Sequence, residues 1–196
     1  MIKRICHFLL GLFDKVIYLL SGKKEFVLLS NNCWGFEYYN NISVTYNHPF
    51  IGCYIAPSQF YQLISNLNFY MDGEFGYSMC SDGYPVVVIN NEIVCHFIHE
   101  VSVVDLKSKF ERRLLRLKRF LHVNGYNNVK VKICDRDGMD DKLANSFESL
   151  DFSILLLTKD NLPKICLDKN ANTVVDGRKL FDFRLCYLLR LYNFLK

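Results

Sequence analysis

The stretch FVLLSNNCWGFEYYNN, residues 26–41, runs from an apolar segment through Ser30-Asn31-Asn32 into Cys33 and the chain's single tryptophan, Trp34. Phe26 to Ser30 reads as a buried strand that stops abruptly. Ser30, Asn31 and Asn32 are helix-capping residues, so CWGFEYYN is expected to open a short helix. A strand turning directly into a helix, repeated along a chain, predicts an α/β fold with helices on the faces of a sheet.

Reading outward, the elements alternate. FIGCYIA is a strand candidate, and PSQFYQLISNLNFYM is a helix beginning after Pro57 with Ser58 as its cap. YPVVVINNEIVCHFIHE gives two strands joined at a hairpin turn, Asn90-Asn91. SVVDLKSKFERRLLRLKRFL is a long helix capped by Ser102, with Asp105 three residues on. Strand NVKVKIC, loop DRDGMDD, helix KLANSFESL, strand FSILLLT and a short strand near KICLD complete the series. The expected fold is therefore a single α/β domain over residues 1–196, with one mixed, mostly parallel sheet flanked by helices. Amphipathic helices at residues 2–20 and 178–195 are appended to a core of about 25–160. In the first, Lys3, His7, Gly11, Asp14 and Tyr18 recur every three or four residues and leave a broad apolar face. Ordinary packing would turn that face toward the core; basic amphipathic helices also lie on anionic membrane surfaces.

Composition narrows the class. With 196 residues, 51% of them apolar, and 4 prolines, the chain is long and apolar enough to bury one sizeable core. Its 16 Phe and 12 Tyr suit wide aromatic packing or a site for flat or sugar-like ligands. Eight cysteines at 6, 33, 53, 80, 95, 134, 166 and 186 form no CxxC pair, so neither a disulfide framework nor a zinc spacing is read. The N-terminal apolar stretch carries Asp14 and Lys15 and has no small-residue cleavage site. Free thiols in a reducing cytoplasm are the expectation. A net charge of +4 does not by itself mark a nucleic-acid binder.

Four groups of residues can carry chemistry. Cys33, in the first turn of a helix, faces unpaired backbone N–H groups and the positive end of the helix dipole, which favour a thiolate nucleophile. Those N–H groups, with the Asn32 side chain, supply oxyanion stabilisation or orientation. The ordinary alternative is a structural thiol. In CHFIHE, His96 and His99 fall on opposite faces of a strand and do not form a metal pair. His99, at the strand's carboxyl end where α/β sheets place their sites, is the candidate base for Cys33, with His96 second. Residues 107–119 hold Lys107, Lys109, Arg112, Arg113, Arg116, Lys118 and Arg119 against Glu111 alone, a surplus of six. A solvated face explains them, or a phosphate-bearing ligand does. Finally, Asp135 and Asp137 make an Asp-x-Asp loop after a strand, able to hold Mn²⁺ or Mg²⁺ against the diphosphate of a nucleotide sugar.

The segments LLSNNCWGFEYYN, PFIGCYI, YPV, HFIHE and KFERRLLRL resemble, in order, an uncharacterised bacterial family, domain of unknown function nineteen-nineteen, often labelled exopolysaccharide biosynthesis protein. The resemblance covers about residues 25–160, and Ser-Asn-Asn-Cys-Trp-Gly is its most specific part. This chain departs from the pattern at Phe36, Glu100 and Phe110, where the family has glycine, an aromatic residue and tryptophan. The resemblance implies an α/β protein acting in capsule, lipopolysaccharide or exopolysaccharide assembly; it implies no particular reaction.

The combined expectation is a cytoplasmic transferase of surface-polysaccharide synthesis. Cys33 is its nucleophile, His99 its base and Asn32 an orienting group. Asn31, Trp34, His96, Arg112, Arg113 and Arg116 meet the substrate or its phosphate. The donor is then of coenzyme A or other acyl type, and the acceptor is a saccharide, free or lipid-linked, met at or near the inner face of the membrane. One alternative is a metal-dependent glycosyltransferase using Asp135 and Asp137. Another is a non-enzymatic, membrane-associated module of the assembly machinery.

Overall fold

The computed structural model describes residues 2–22, 25–134, 139–157 and 192–196, with the backbone alone at 2–10, 134, 153 and 155–157. The expected C-terminal helix lies outside these residues except for its end, where 192–195 are helical. The expected strand near KICLD and the loop with Asp135 and Asp137 also lie outside them.

The chain is mixed α/β, and the strands among the described residues form two sheets instead of the one expected. Strands β1 (Val27–Ser30), β5 (Val129–Cys134) and β6 (Ser153–Leu157) are parallel, in the order β1-β5-β6. Strands β2 (Phe75–Met79), β3 (Pro85–Ile89) and β4 (Ile93–His96) are an antiparallel meander. The meander pairs locally, as hairpins do. Asn90 and Asn91, both at positive φ (51° and 57°), make the tight turn between β3 and β4 that the sequence predicts.

The two sheets are joined by the segment that FIGCYIA marks as a strand. It is no strand: its only pairing among the described residues is an isolated bridge from Tyr54 to His96. Phe50, Ile51, Cys53 and Ile55 are nonetheless buried, because this segment fills the space beside the open edge of β1. Apolar composition reflects burial here, not strand geometry.

The helices are α1 (Ile2–Leu20), α2 (Trp34–Ile42), α3 (Pro57–Ser65), α4 (Leu67–Met71), α5 (Val103–Asn124) and α6 (Asp141–Glu148). The single helix expected after Pro57 is broken at Asn66, whose φ of −131° is not helical; Pro57 takes the first helical position and Ala56, not Ser58, is the cap residue. Ser102 caps α5 as its spacing predicts, its Oγ accepting from Asp105 N–H at 3.2 Å. Leu106, Phe110, Leu114, Leu117 and Phe120 of α5 are buried, each worth about 1.5–3 kcal/mol on removal from water. Phe110 is the hub, in ring contact with Phe50, Phe75, Tyr77 and Phe97.

The parallel sheet has a core on each face. Val27, Leu29, Val129, Val131 and Ile133 face the larger core with α3, α5 and the meander. Leu28 faces a smaller aromatic core with Trp34, Tyr38 and Tyr39 of α2, Ile17 of α1 and Phe194. Helix α1 meets α2 in an unexpected orientation. Its inner stripe is Gly11, Asp14, Ile17 and Tyr18, with Ser21 buried just past its end, and Asn41 Nδ2 donates to Asp14 Oδ2 at 2.7 Å. Leu12, Val16, Leu19 and Leu20 are exposed.

Candidate functional site

The residues of greatest interest lie at the carboxyl edge of the parallel sheet, where open α/β sheets place their ligand sites. β1 ends at Ser30. Ser30 and Asn31 are buried, Asn32 and Cys33 are half-buried, and α2 begins at Trp34. The expected strand-to-helix turn is present, with Cys33 as its cap residue in right-handed helical conformation.

Asn32 organises the turn. Its Oδ1 accepts from Ser30 Oγ (3.2 Å), from Trp34 N–H (3.2 Å) and from the ammonium of Lys132 (3.1 Å). The bond to Trp34 N–H satisfies one of the donors left open at the start of α2. Asn32 thus holds the turn together through its oxygen. Trp34 is buried and stacked on Tyr38 (5.3 Å between centroids, 15° between planes).

Lys132 is the residue of this turn that sequence reasoning misses. In VKVKIC the lysines alternate with valines, the usual mark of a strand with one wet face. Yet Lys132 is wholly buried and Lys130 nearly so, because α1, α2 and the last residues of the chain cover that face. Lys130 Nζ sits 5.9 Å from the Phe194 ring centroid, and Lys132 Nζ sits 5.5 Å from that of Trp34. A buried ammonium is costly unless well paired. Here it is delivered to the Asn32 oxygen and the indole face, one residue to either side of Cys33. The only available signal is lysine in a strand that a β–α sheet covers on both faces.

Asn31 is fully buried. Its carbonyl accepts from Ile55 N–H at 3.0 Å, while its side-chain amide has no hydrogen-bond partner among the described residues. The adjoining Tyr54 exchanges both backbone hydrogen bonds with His96, at 2.9 and 2.8 Å. The dipeptide Tyr54-Ile55 therefore ties the Asn31 turn of one sheet to the end of β4 in the other.

That link reaches His96, not His99. His96 is half-buried, with Nδ1 3.2 Å from Tyr84 Oη and its ring beside those of Tyr54 and Tyr84. Burial pushes its pKa below the ordinary imidazole value, with Asp82 opposing. β4 stops at His96, so the alternation expected to carry on to His99 does not; His99 lies exposed on the following turn. Glu100, which departs from the family pattern, holds Lys109 Nζ at 2.7 and 3.0 Å. His48, absent from the sequence reading, is buried between Tyr39 and Phe50, and burial lowers its pKa to about 3. It is uncharged at neutral pH.

The arginines of α5 belong to a different place. Arg113 stacks over the Tyr46 ring at 4.9 Å, and Arg116 Nη1 donates to the Tyr46 carbonyl at 2.8 Å; Arg112 is exposed. Arg116 and Arg119 line a groove of about 610 Å³ with Tyr18, Phe26, Tyr46 and Val123. Phe26 precedes β1 and Cys33 follows it, so the strand, about 13 Å long at ~3.3 Å per residue, separates this groove from the Cys33 turn. The lysines of α5 have acids: Lys107 with Glu111, Lys109 with Glu100 and Lys118 with Asp72. Among the described residues no carboxylate pairs with Arg112, Arg113, Arg116 or Arg119. Nor do the described residues bring three His, Cys, Asp or Glu side chains together in a metal-binding group.

The fold and the turn define an α/β protein with a thiol, an asparagine and a buried lysine at the carboxyl edge of its parallel sheet. The chain belongs to the family described as Domain of unknown function (DUF1919), whose model matches residues 11–166. It is also similar to an uncharacterized protein of Haemophilus influenzae (strain ATCC 51907 / DSM 11121 / KW20 / Rd), 26% identical over 125 residues. That similarity covers 64% of this chain and 57% of the relative's length. No helix among the described residues is long and apolar enough to cross a membrane.

Proposed function

We propose that the chain is a cytoplasmic transferase of bacterial surface-polysaccharide synthesis, moving an acyl group from an activated donor to a saccharide, free or lipid-linked, through Cys33. The burial of Lys132 with its ammonium on Asn32, between the backbone of Trp34 and the edge of β1, is the observation that carries this reading. A cation and a helix N-terminus beside one thiol both favour its thiolate. The thiolate attacks the donor carbonyl and expels the donor's thiol or phosphate, leaving a thioester on Cys33. An acceptor hydroxyl then attacks the thioester, gives its proton to a base and releases the thiolate. What supports His96 over His99 as that base is the Tyr54-Ile55 link, which ties the end of β4 to the Asn31 turn. The polysaccharide setting rests on the family resemblance, and the work is placed in the cytoplasm, at or near the inner face of the membrane.

The test reads thiol reactivity first. Iodoacetamide labelling across pH 5–9, resolved by mass spectrometry, is expected to show Cys33 reacting below pH 8 while half-buried Cys80 stays slow. Lys132→Met is expected to slow Cys33 labelling at pH 7 about tenfold. Incubation with an acyl-coenzyme A should then add an acyl mass to the wild-type chain and none to Cys33→Ser. A Cys33 no faster than Cys80, in both the wild type and Lys132→Met, overturns the proposal.

A further inference from the structure

Helix α1 is turned inside out relative to an ordinary surface helix, which buries its apolar stripe and wets its polar one. Asp14, its only acid, is buried against Asn41, and Gly11 lets the helices approach so closely that a Cβ there would lie 3.1 Å from Asn41 Oδ1. Outside, Leu12, Val16 and Leu19 are 42–49% exposed and Leu20 is 67% exposed. These positions repeat at i, i+4, i+7 and i+8, so they form one continuous apolar stripe. Lys15 is exposed at its border. The sequence adds Arg4 to the same helix and Lys23-Lys24 among the residues that follow it, whereas Lys3 falls in register with Gly11 and Asp14. Beside the helix, Tyr18 forms part of the groove that holds Arg116 and Arg119, with Glu25 as the acid among its lining residues. The Arg116 guanidinium is fixed by its bond to Tyr46, and Val123 on the groove's edge is 78% exposed.

We propose that the outer face of α1 seats the chain on an anionic lipid surface, with Arg116 and Arg119 in the adjoining groove taking the phosphates of lipid headgroups. Charge complementarity selects this occupant. A second copy packed on α1 would bring Lys15 and its basic neighbours against their own kind, whereas anionic headgroups neutralise them. The apolar stripe enters the boundary between headgroups and acyl chains, as in helices that lie in the membrane plane. Bidentate guanidinium–phosphate pairing suits two arginines that form no salt bridge among the described residues and outnumber the groove's one acid, Glu25. The inference names a lipid-borne partner and stands apart from the chemistry of Cys33, so either can fail without the other.

The experiment is cosedimentation of the full chain with vesicles of phosphatidylglycerol and phosphatidylcholine (1:1), or of phosphatidylcholine alone, in 0.1 M salt. Binding to the first and not the second is expected. Val16→Glu with Leu20→Glu should weaken it at least tenfold, and Arg119→Gln about fivefold. Arg112→Gln, a charge loss outside the groove, should have less than half the effect of Arg119→Gln. These positions are exposed, and urea melts check that each variant is folded. Failure of the wild type to bind phosphatidylglycerol overturns the proposal, as does binding that the α1 pair leaves intact. Equal losses for Arg112→Gln and Arg119→Gln overturn the groove's part in it. A dimer in sedimentation velocity that the α1 pair dissolves, or tight binding of glucose 1-phosphate without vesicle binding, assigns the surface to another occupant and also overturns it.

Discussion

The two faces of β5 are built from alternate residues of one hexapeptide and have opposite characters. Val129, Val131 and Ile133 enter an apolar core closed by α5 and the meander. Lys130 and Lys132 enter an aromatic core that also holds the hydroxyls of Tyr38 and Tyr39, with buried Asp14 between α1 and α2. Apolar burial is favourable wherever shapes fit. Buried charge is retained at a cost unless it is paired, and groups held at such cost concentrate where chemistry is done. The first face accounts for stability and the second for the proposed site.

Substitutions on the two faces should therefore separate. Phe110→Ala, on the apolar side, removes a ring that touches four others and is expected to lose about 3–5 kcal/mol in urea denaturation. A loss under 1 kcal/mol would show that this core does not dominate stability.

Asp14 gives the next effect. Burial, with Glu37 adding and the Asn41 hydrogen bond opposing, raises its pKa from 3.8 to about 7. The folded carboxyl then keeps a proton that the unfolded chain releases above pH 4. Stability falls as pH rises from about 4 to 7 and levels off beyond, by up to about 4 kcal/mol at ~1.4 kcal/mol per pH unit. Asp14→Asn should flatten that slope and be the more stable protein at pH 8. Parallel slopes in urea titrations of the two proteins would remove Asp14 as the cause.

The smallest expected change in stability is at Lys132. Lys132→Met keeps volume and leaves Asn32 Oδ1 with Ser30 Oγ and Trp34 N–H as donors, so unfolding free energy should move by about 1 kcal/mol or less. A loss as large as that of Phe110→Ala would make the lysine structural and erase the distinction between the faces.

The elements that sequence reading places correctly are those whose signals are local. The Ser102 cap lies within one helix, and the Asn90-Asn91 turn within one hairpin. β1 and its turn into α2 are legible in the same way. Errors arise where burial depends on distant chain. FIGCYIA looks like a strand because the second sheet covers it, and FGYSM escapes notice because β2 is mostly exposed and contains Gly76 and Ser78. Alternation in VKVKIC points its lysines to water, and only the arrival of α1 and α2 reverses that. For the candidate site, the Ser30–Trp34 turn was readable. Lys132 lies 100 residues from Asn32, and the Tyr46 contacts that draw Arg113 and Arg116 to the far end of the sheet span some seventy.

The outer edge of β1 carries one more consequence. Leu28 N–H donates to Tyr39 Oη, which donates in turn to Asn47 Oδ1, while Asn47 Nδ2 donates to the Phe26 carbonyl and Ile55 N–H to that of Asn31. Side chains and a single backbone amide thus occupy the hydrogen-bonding sites that another strand would use. An open strand edge is a template for intermolecular pairing. By stoppering this one with tyrosine and asparagine, the fold protects a short, wholly buried strand from fibrillar self-association without the charges that usually guard such edges.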